Sequence, residues 1–214
     1  MPELDRSFDV VVAGGGPAGA ATALLLARAG VSTLLVDAAP ATSLKVGETL
    51  LPSARRLLRD LGVWDAFARD EHVPSHGIVS VWSSARPQVN DFFASPFGQG
   101  WQLDRGRFDT MLREHSRKAG AVVSLGARLT SCEAHATDGW HLCLTDRGGP
   151  HRVWARYLVD ATGRTGAGAL RRLSPRAPTD NLIGSIMRVH DDRPHAYTLV
   201  EAVQDGWFYS TSVP

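Results

Sequence analysis

The chain has 214 residues, 43% of them hydrophobic, which is enough for one large domain or one and a half smaller ones with a substantial core. Lys and Arg number 23 against 22 Asp and Glu, a formal net charge of +1, so nothing in the balance points to nucleic acid or an acidic surface. The two cysteines, Cys132 and Cys143, lack metal-ligand spacing and read as free thiols; the start MPELDRSF is too short and charged for a signal sequence, and no apolar run reaches membrane-spanning length, so the expectation is a cytoplasmic protein with no metal and no membrane partner.

Phe8, Val10, Val11 and Val12 make the short apolar run expected of a parallel strand buried on both faces. Gly14, Gly16 and Gly19 then give G-x-G-x-x-G, with Gly15, Pro17 and Ala18 between them. The three glycines suit a tight turn, close approach to a pyrophosphate and close packing of helix on sheet. Pro17 fits the first turn of a helix, where a missing N–H costs little. Ala18 to Ala29 are strong helix formers and Gly30 is placed to end them, so an amide-rich helix start faces an anion. Val31 to Val36 returns as a second buried strand and closes at Asp37, whose carboxylate can take both hydroxyls of an adenosine ribose and disfavours a 2′-phosphate. A lone glycine signature is weak. Strand, turn, helix, strand and acid in register point to a dinucleotide.

Beyond Asp37, Pro40 breaks the strand, and Gly47 and Pro52 bracket a loop before a helix over residues 53–61, with Leu57, Leu58 and Leu61 as its buried stripe. Arg55, Arg56 and Arg59 cover another face and read as solvated charge before phosphate ligands. Gly77 to Ser84 alternates like a half-exposed strand, with Asp91 to Ala94 and Gly100 to Leu103 as further strands of the same sheet. Asp104 is a helix N-cap for residues 105–119, whose Phe108, Met111 and Leu112 share one face. Ala121 to Leu125 reads as the third parallel strand. A meander follows over 127–134, 140–145 and 151–159, with turns at Asp138-Gly139 and at 147–149, and its last strand runs into Asp160-Ala161-Thr162-Gly163. Three strands close the chain, at 182–189, 196–203 and 207–213.

Five stretches in family order then resemble the FAD-dependent monooxygenases and flavin-dependent halogenases, which bind FAD in a glutathione-reductase-like fold. They are GGGPAG with Asp37, VGETLLPS at 46–53, WQLDRGRFD at 101–109, YLVDATGR at 157–164, and DGWFYSTSVP at 205–214. The resemblance implies an α/β fold: a Rossmann-like FAD-binding parallel sheet over 1–75 and 104–175, interleaved with a mainly antiparallel substrate sheet, incomplete, over 76–103 and 176–214. It implies that Glu48 lies beside the flavin, orienting it or satisfying loop amides. It places Arg105 on a phosphate or ribose oxygen of FAD, and Asp160 and Gly163 near the flavin.

The implied chemistry is hydroxylation of an electron-rich substrate, small or peptide-borne, through a flavin C4a-hydroperoxide, with electrons from NAD(P)H or a separate flavin reductase. The sequence departs from the halogenases in two ways. No lysine occurs between Lys45 and Lys118, where they carry a catalytic lysine, and Trp207-Phe208-Tyr209 continues as STSVP where they have W-x-W-x-I-P. Both favour monooxygenation over halogenation. His76 stands nearest the place of the missing lysine and is the single catalytic candidate, although a histidine in a polar turn is first of all a surface residue. Related proteins continue into a G-D-A flavin segment that does not occur here, so a fragment, or a nucleotide-binding remnant without catalysis, is a further expectation.

Overall fold

A computed structural model of the chain describes residues 6–40, 49–135, 139–164, 166, 168–171, 173, 182–190, 192 and 195–214. In chain order the elements are β1 (Arg6–Ala13), α1 (Pro17–Arg28), β2 (Thr33–Asp37), β3 (Thr49–Leu50), α2 (Ala54–Asp60), α3 (Trp64–Arg69), β4 (Val73–Ser75), β5 (Gly77–Val81) and β6 (Gln88–Asp91). They continue as β7 (Gly100–Gln102), α4 (Arg105–Lys118), β8 (Val122–Leu125), β9 (Arg128–Ala134), β10 (Trp140–Asp146), β11 (Gly149–Asp160), β12 (Tyr197–Val203) and β13 (Gly206–Ser210). They form two compact units, Met1–Leu44 with Asp109–Asn181 and Lys45–Phe108 with Leu182–Pro214. Residues 45–75, expected with the nucleotide-binding sheet, group with the second unit. Among the described residues no helix is long and apolar enough to cross a membrane.

The first unit is built on one six-stranded sheet, ordered β8-β2-β1-β11-β10-β9. Its first four strands pair in parallel, and β11, β10 and β9 form the antiparallel meander. The continuous apolar runs of β1 and β2 are what a strand covered on both faces requires: Val11, Val12 and Leu35 are fully buried. Helix α1 buries Gly19, Ala20 and Ala23, whose small size lets it lie close on the sheet, together with Leu24. It ends at Gly30, which sits at φ +78° and closes the last turn through its N–H to Ala27 O at 3.0 Å. Phe8, Val11, Leu34, Val36, Leu129, Leu142, Leu144, Val153 and Leu170 form the core, each worth about 1.5–3 kcal/mol on burial. Ser116, on α4, donates to Ala20 O on α1 at 2.8 Å.

The second unit has a four-stranded sheet, β13-β12-β5-β6, and a three-stranded one, β3-β7-β4. The first is mixed, because β12 lies parallel to β5 while the other pairs are antiparallel. The expected single sheet is thereby corrected: β6 starts and ends earlier than 91–94, and β7 belongs with β3 and β4, joined to them by Thr49↔Gln102 and Val73↔Gln102. Residues 182–189, expected as a strand, have no regular structure and lie exposed. Leu58 is buried on α2, but Leu57 is 63% exposed, so the predicted leucine stripe is narrower than the spacing suggested. Trp64, Phe67, Trp101 and Phe108 make an aromatic core of edge-to-face contacts 5.3–5.9 Å apart, with Arg55 stacked 4.9 Å over Trp64 and 5.5 Å from Trp101.

Candidate functional site

In the first unit the strand order reverses between β1 and β11. Chain continues from β1 to β2 on one side and reaches β11 on the other, and the crevice outside the carboxyl ends of such strands is where ligands bind in open α/β sheets. Three features converge there. The glycine turn leaves β1, Asp37 ends β2, and the Asp160–Gly163 loop leaves β11, with Ala13 paired to Asp160.

Each glycine of the turn has its own reason. Gly14 adopts φ +112°, and a Cβ there would meet Ala161 O at 2.2 Å, so the turn and the β11 loop are in backbone contact that only glycine permits. Gly19 lies under the helix start, where a Cβ would stand 1.8 Å from Gly14 O. Gly16 is the opposite case. Its φ of −74° is open to any residue, yet a Cβ there would meet nothing within 4 Å. Gly16 is the N-cap of α1 without a side-chain cap, Pro17 follows, the first turn carries no acid, and Ala18 is exposed. The start of the helix therefore offers backbone N–H groups without a side-chain cap, and the positive end of its dipole, beside the space left open at Gly16.

Asp37 is held from two sides. Its Oδ2 accepts the Gly15 N–H at 3.1 Å and its Oδ1 accepts the Ala39 N–H at 2.9 Å. Each carboxylate oxygen retains a further acceptor site. Arg113, reaching in from α4, brings Nη1 to 3.9 Å from Asp37 Oδ2. Asp160 is exposed and accepts both the Thr162 N–H at 3.0 Å and the Thr162 hydroxyl at 2.6 Å, which closes the loop after β11. Gly163 turns at φ +68° with nothing within 4 Å of a Cβ position.

The donor set fits a dinucleotide: an open helix start for a diphosphate, a fixed carboxylate for a vicinal diol, and a gap at Gly16 that a side chain would close. The predicted residues Gly14, Gly15, Gly16, Pro17, Ala18, Gly19, Asp37, Asp160 and Gly163 are thus brought together in one unit. Arg105 opens α4 in the second unit, and Glu48 lies outside the described residues, as does Asp138. His76 also belongs to the second unit, exposed between β4 and β5 with its ring edge-on to Tyr197 at 6.2 Å. Trp101 is core, 7% exposed, whereas Trp82 and Trp207 are 59% and 51% exposed. Among the described residues no group of three or more His, Cys, Asp or Glu is placed to hold a metal ion.

Several buried polar residues escaped the sequence, Arg113 and His72 among them. Arg113 is 2% exposed, and with Asp109 and Ser116 it forms a buried polar stripe on α4 at i, i+4, i+7 spacing, a periodicity visible in the chain beside the apolar face. In the second unit His72 accepts the Asp104 N–H at Nδ1, 3.2 Å away, with Phe67 and Phe108 against its ring. Burial lowers its pKa; Asp70 and Asp104 oppose that shift, and Arg107 adds to it.

A family model described as an FAD binding domain matches residues 7–210. A flavin-dependent halogenase of Penicillium aethiopicum is 33% identical over 191 residues, covering 81% of this chain and 36% of that protein. Among solved structures, the myxobacterial chondrochloren halogenase superimposes with TM-score 0.78 at 23% identity over 97% of this chain and 50% of its own. Aklavinone-11 hydroxylase, solved with FAD and aklavinone, does so with TM-score 0.61 at 27% identity over 78% of this chain and 34% of its own. The chain spans roughly a third to just over half the length of the relatives it matches.

Proposed function

The chain belongs to the FAD binding domain family, and from that premise we propose that it works as an FAD-dependent monooxygenase on an electron-rich organic substrate. The observation that carries the reading is the open, uncapped start of α1 at Gly16, flanked by a carboxylate fixed at the end of β2. The α1 amides take the diphosphate, Asp37 takes the adenosine ribose hydroxyls, and the loop of Asp160 and Gly163 borders the flavin half. The flavin, when bound, supplies oxygen activation, and the protein supplies orientation and exclusion of water. Electrons come from NAD(P)H, directly or through a separate flavin reductase. A cytoplasmic setting accords with Cys132 and Cys143, both free thiols.

Hydroxylation is preferred over halogenation because no lysine lies between Lys45 and Lys118 and the Trp207-Phe208-Tyr209 segment runs into STSVP. Halogenation is the second reading, favoured by the names of several relatives. One experiment separates them. The purified chain is titrated with FAD, then given NADH with and without a flavin reductase, oxygen and a panel of phenols and indoles, in the presence and absence of bromide. Products heavier by one oxygen, independent of bromide, support the monooxygenase. Brominated products convert the assignment to halogenase, and failure to take up FAD ends both.

A further inference from the structure

Arg113 on α4 carries a cation whose side chain is only 3% exposed. Its Nη2 donates to Thr110 Oγ1 at 3.0 Å, one turn back on α4. Its Nη1 is buried without a hydrogen-bond acceptor and faces Asp37 Oδ2 at 3.9 Å. Burying a guanidinium is costly unless it is paired, and leaving one of its nitrogens unbonded adds to the cost. Such a group is expected where its charge has work to do, and a carboxylate within ion-pair reach of it is the one that ends β2.

We propose that Arg113 is a positioning residue for recognition of the adenosine ribose: with the Gly15 and Ala39 N–H groups it brackets the Asp37 carboxylate and fixes the direction in which its free acceptor sites point. The inference rests on the flavin-binding reading of the first unit. Three donors surround the carboxylate from three elements: the glycine turn, the residues after β2, and α4. Swinging Asp37 away from the diol would break the two hydrogen bonds donated by the Gly15 and Ala39 N–H groups and separate the carboxylate from a buried positive charge. The remaining gap of 3.9 Å is longer than a hydrogen bond, so a small rotation of the carboxylate on taking up a diol brings Nη1 into bonding range and satisfies the donor left open in the free protein. Asp109, fully buried one turn earlier on α4, is the competing candidate for the charge of Arg113, and that alternative makes Arg113 a purely structural ion.

The test measures discrimination, which a structural ion would leave alone. The probes are FAD and FAD carrying a 2′-deoxyadenosine moiety, titrated by flavin fluorescence into the wild type, Arg113→Met, Arg113→Lys, Thr110→Ala and Asp37→Asn. The wild type should prefer the ribose form by about tenfold or more, the loss expected from one charge-assisted hydrogen bond. Arg113→Met should reduce that preference to near the level of Asp37→Asn, Arg113→Lys should restore part of it, and Thr110→Ala, which frees the other guanidinium nitrogen, should weaken it. Should Arg113→Met fail to fold, the lysine and Thr110 variants decide. A full ribose preference in folded Arg113 and Thr110 variants, whatever their loss of melting temperature, overturns the proposal in favour of the structural ion. A wild type that binds neither form refutes the flavin-binding reading instead.

Discussion

Gly16 and Gly19 stand three residues apart in one motif, yet the structure gives them opposite constraints, and substituting each by alanine separates ligand binding from folding. At Gly19 the new Cβ would lie 1.8 Å from Gly14 O, far inside ordinary van der Waals contact of 3.4–4 Å, and the neighbour is backbone that moves only with the turn. Overpacking of this kind costs about 1–3 kcal/mol. For a chain of this size that lowers the melting temperature by about 2–12 °C. At Gly16 the Cβ meets nothing and φ is −74°. Alanine is a poorer N-cap than glycine by about 0.5–1 kcal/mol, while the stiffer unfolded chain offsets about 0.4–1 kcal/mol, so the net is near zero. The same methyl group enters the space where the diphosphate must come closest to the amides. Loss of one charge-assisted bond there, about 1.5–3 kcal/mol, weakens FAD binding roughly ten- to a hundredfold. Differential scanning fluorimetry without flavin and FAD titration by fluorescence measure the two effects. Gly16→Ala with wild-type FAD affinity, or with the melting loss of Gly19→Ala, would refute the reasoning.

Two further predictions concern the second unit. Because burial depresses the pKa of His72, the unfolded chain binds a proton there that the folded chain does not, between the ordinary value of 6.5 and the lower folded one. Stability should therefore rise with pH up to 6.5 and then level, at no more than about 1.4 kcal/mol per pH unit; urea unfolding from pH 5 to 8 should show that slope in the wild type minus His72→Leu difference, and a flat difference contradicts it. Gln102 is fully buried and bonds Thr49 through Oε1 at 2.8 Å and Thr198 and Ser75 through Nε2 at 2.8 and 3.2 Å. Gln102→Ala should destabilise by about 2–4 kcal/mol through unpaired hydroxyls and a cavity, read as a shift in denaturant midpoint; a loss under about 0.5 kcal/mol would mean that the hydroxyls satisfy one another.

The legible parts of this chain are those whose signal lies in the backbone. G-x-G-x-x-G, Gly30 and the apolar runs of β1 and β2 encode conformation locally, so the first unit's turn, helix and strands follow from the residues themselves, as does the N-cap at Asp104, whose Oδ1 accepts the Arg107 N–H at 2.9 Å. The rest of the second unit is different. Thr49–Leu50 and Val73–Ser75 are too short to show a period, and they are strands because both pair with Gly100–Gln102. Residues 182–189 carry the composition of a strand but have no regular structure. Arg55 looked like solvent-facing charge because two arginines follow at helical spacing, but two indoles cover it. Arg113 was missed for a related reason: on an amphipathic helix a basic residue reads as the wet face, and only a tertiary neighbour reveals that it is inside.

The parallel alignment of β12 with β5 matches Tyr197 to Gly77. At a synthesis rate of about 5–20 residues per second, β5 leaves the ribosome roughly ten seconds before its neighbour exists. During that interval its sheet partner among the described residues is β6, a hairpin of marginal stability in water. The nascent chain thus carries an unmatched strand edge through the whole synthesis of the meander, and a chaperone that shields β5 over that interval should raise the yield of native protein more than one acting after release.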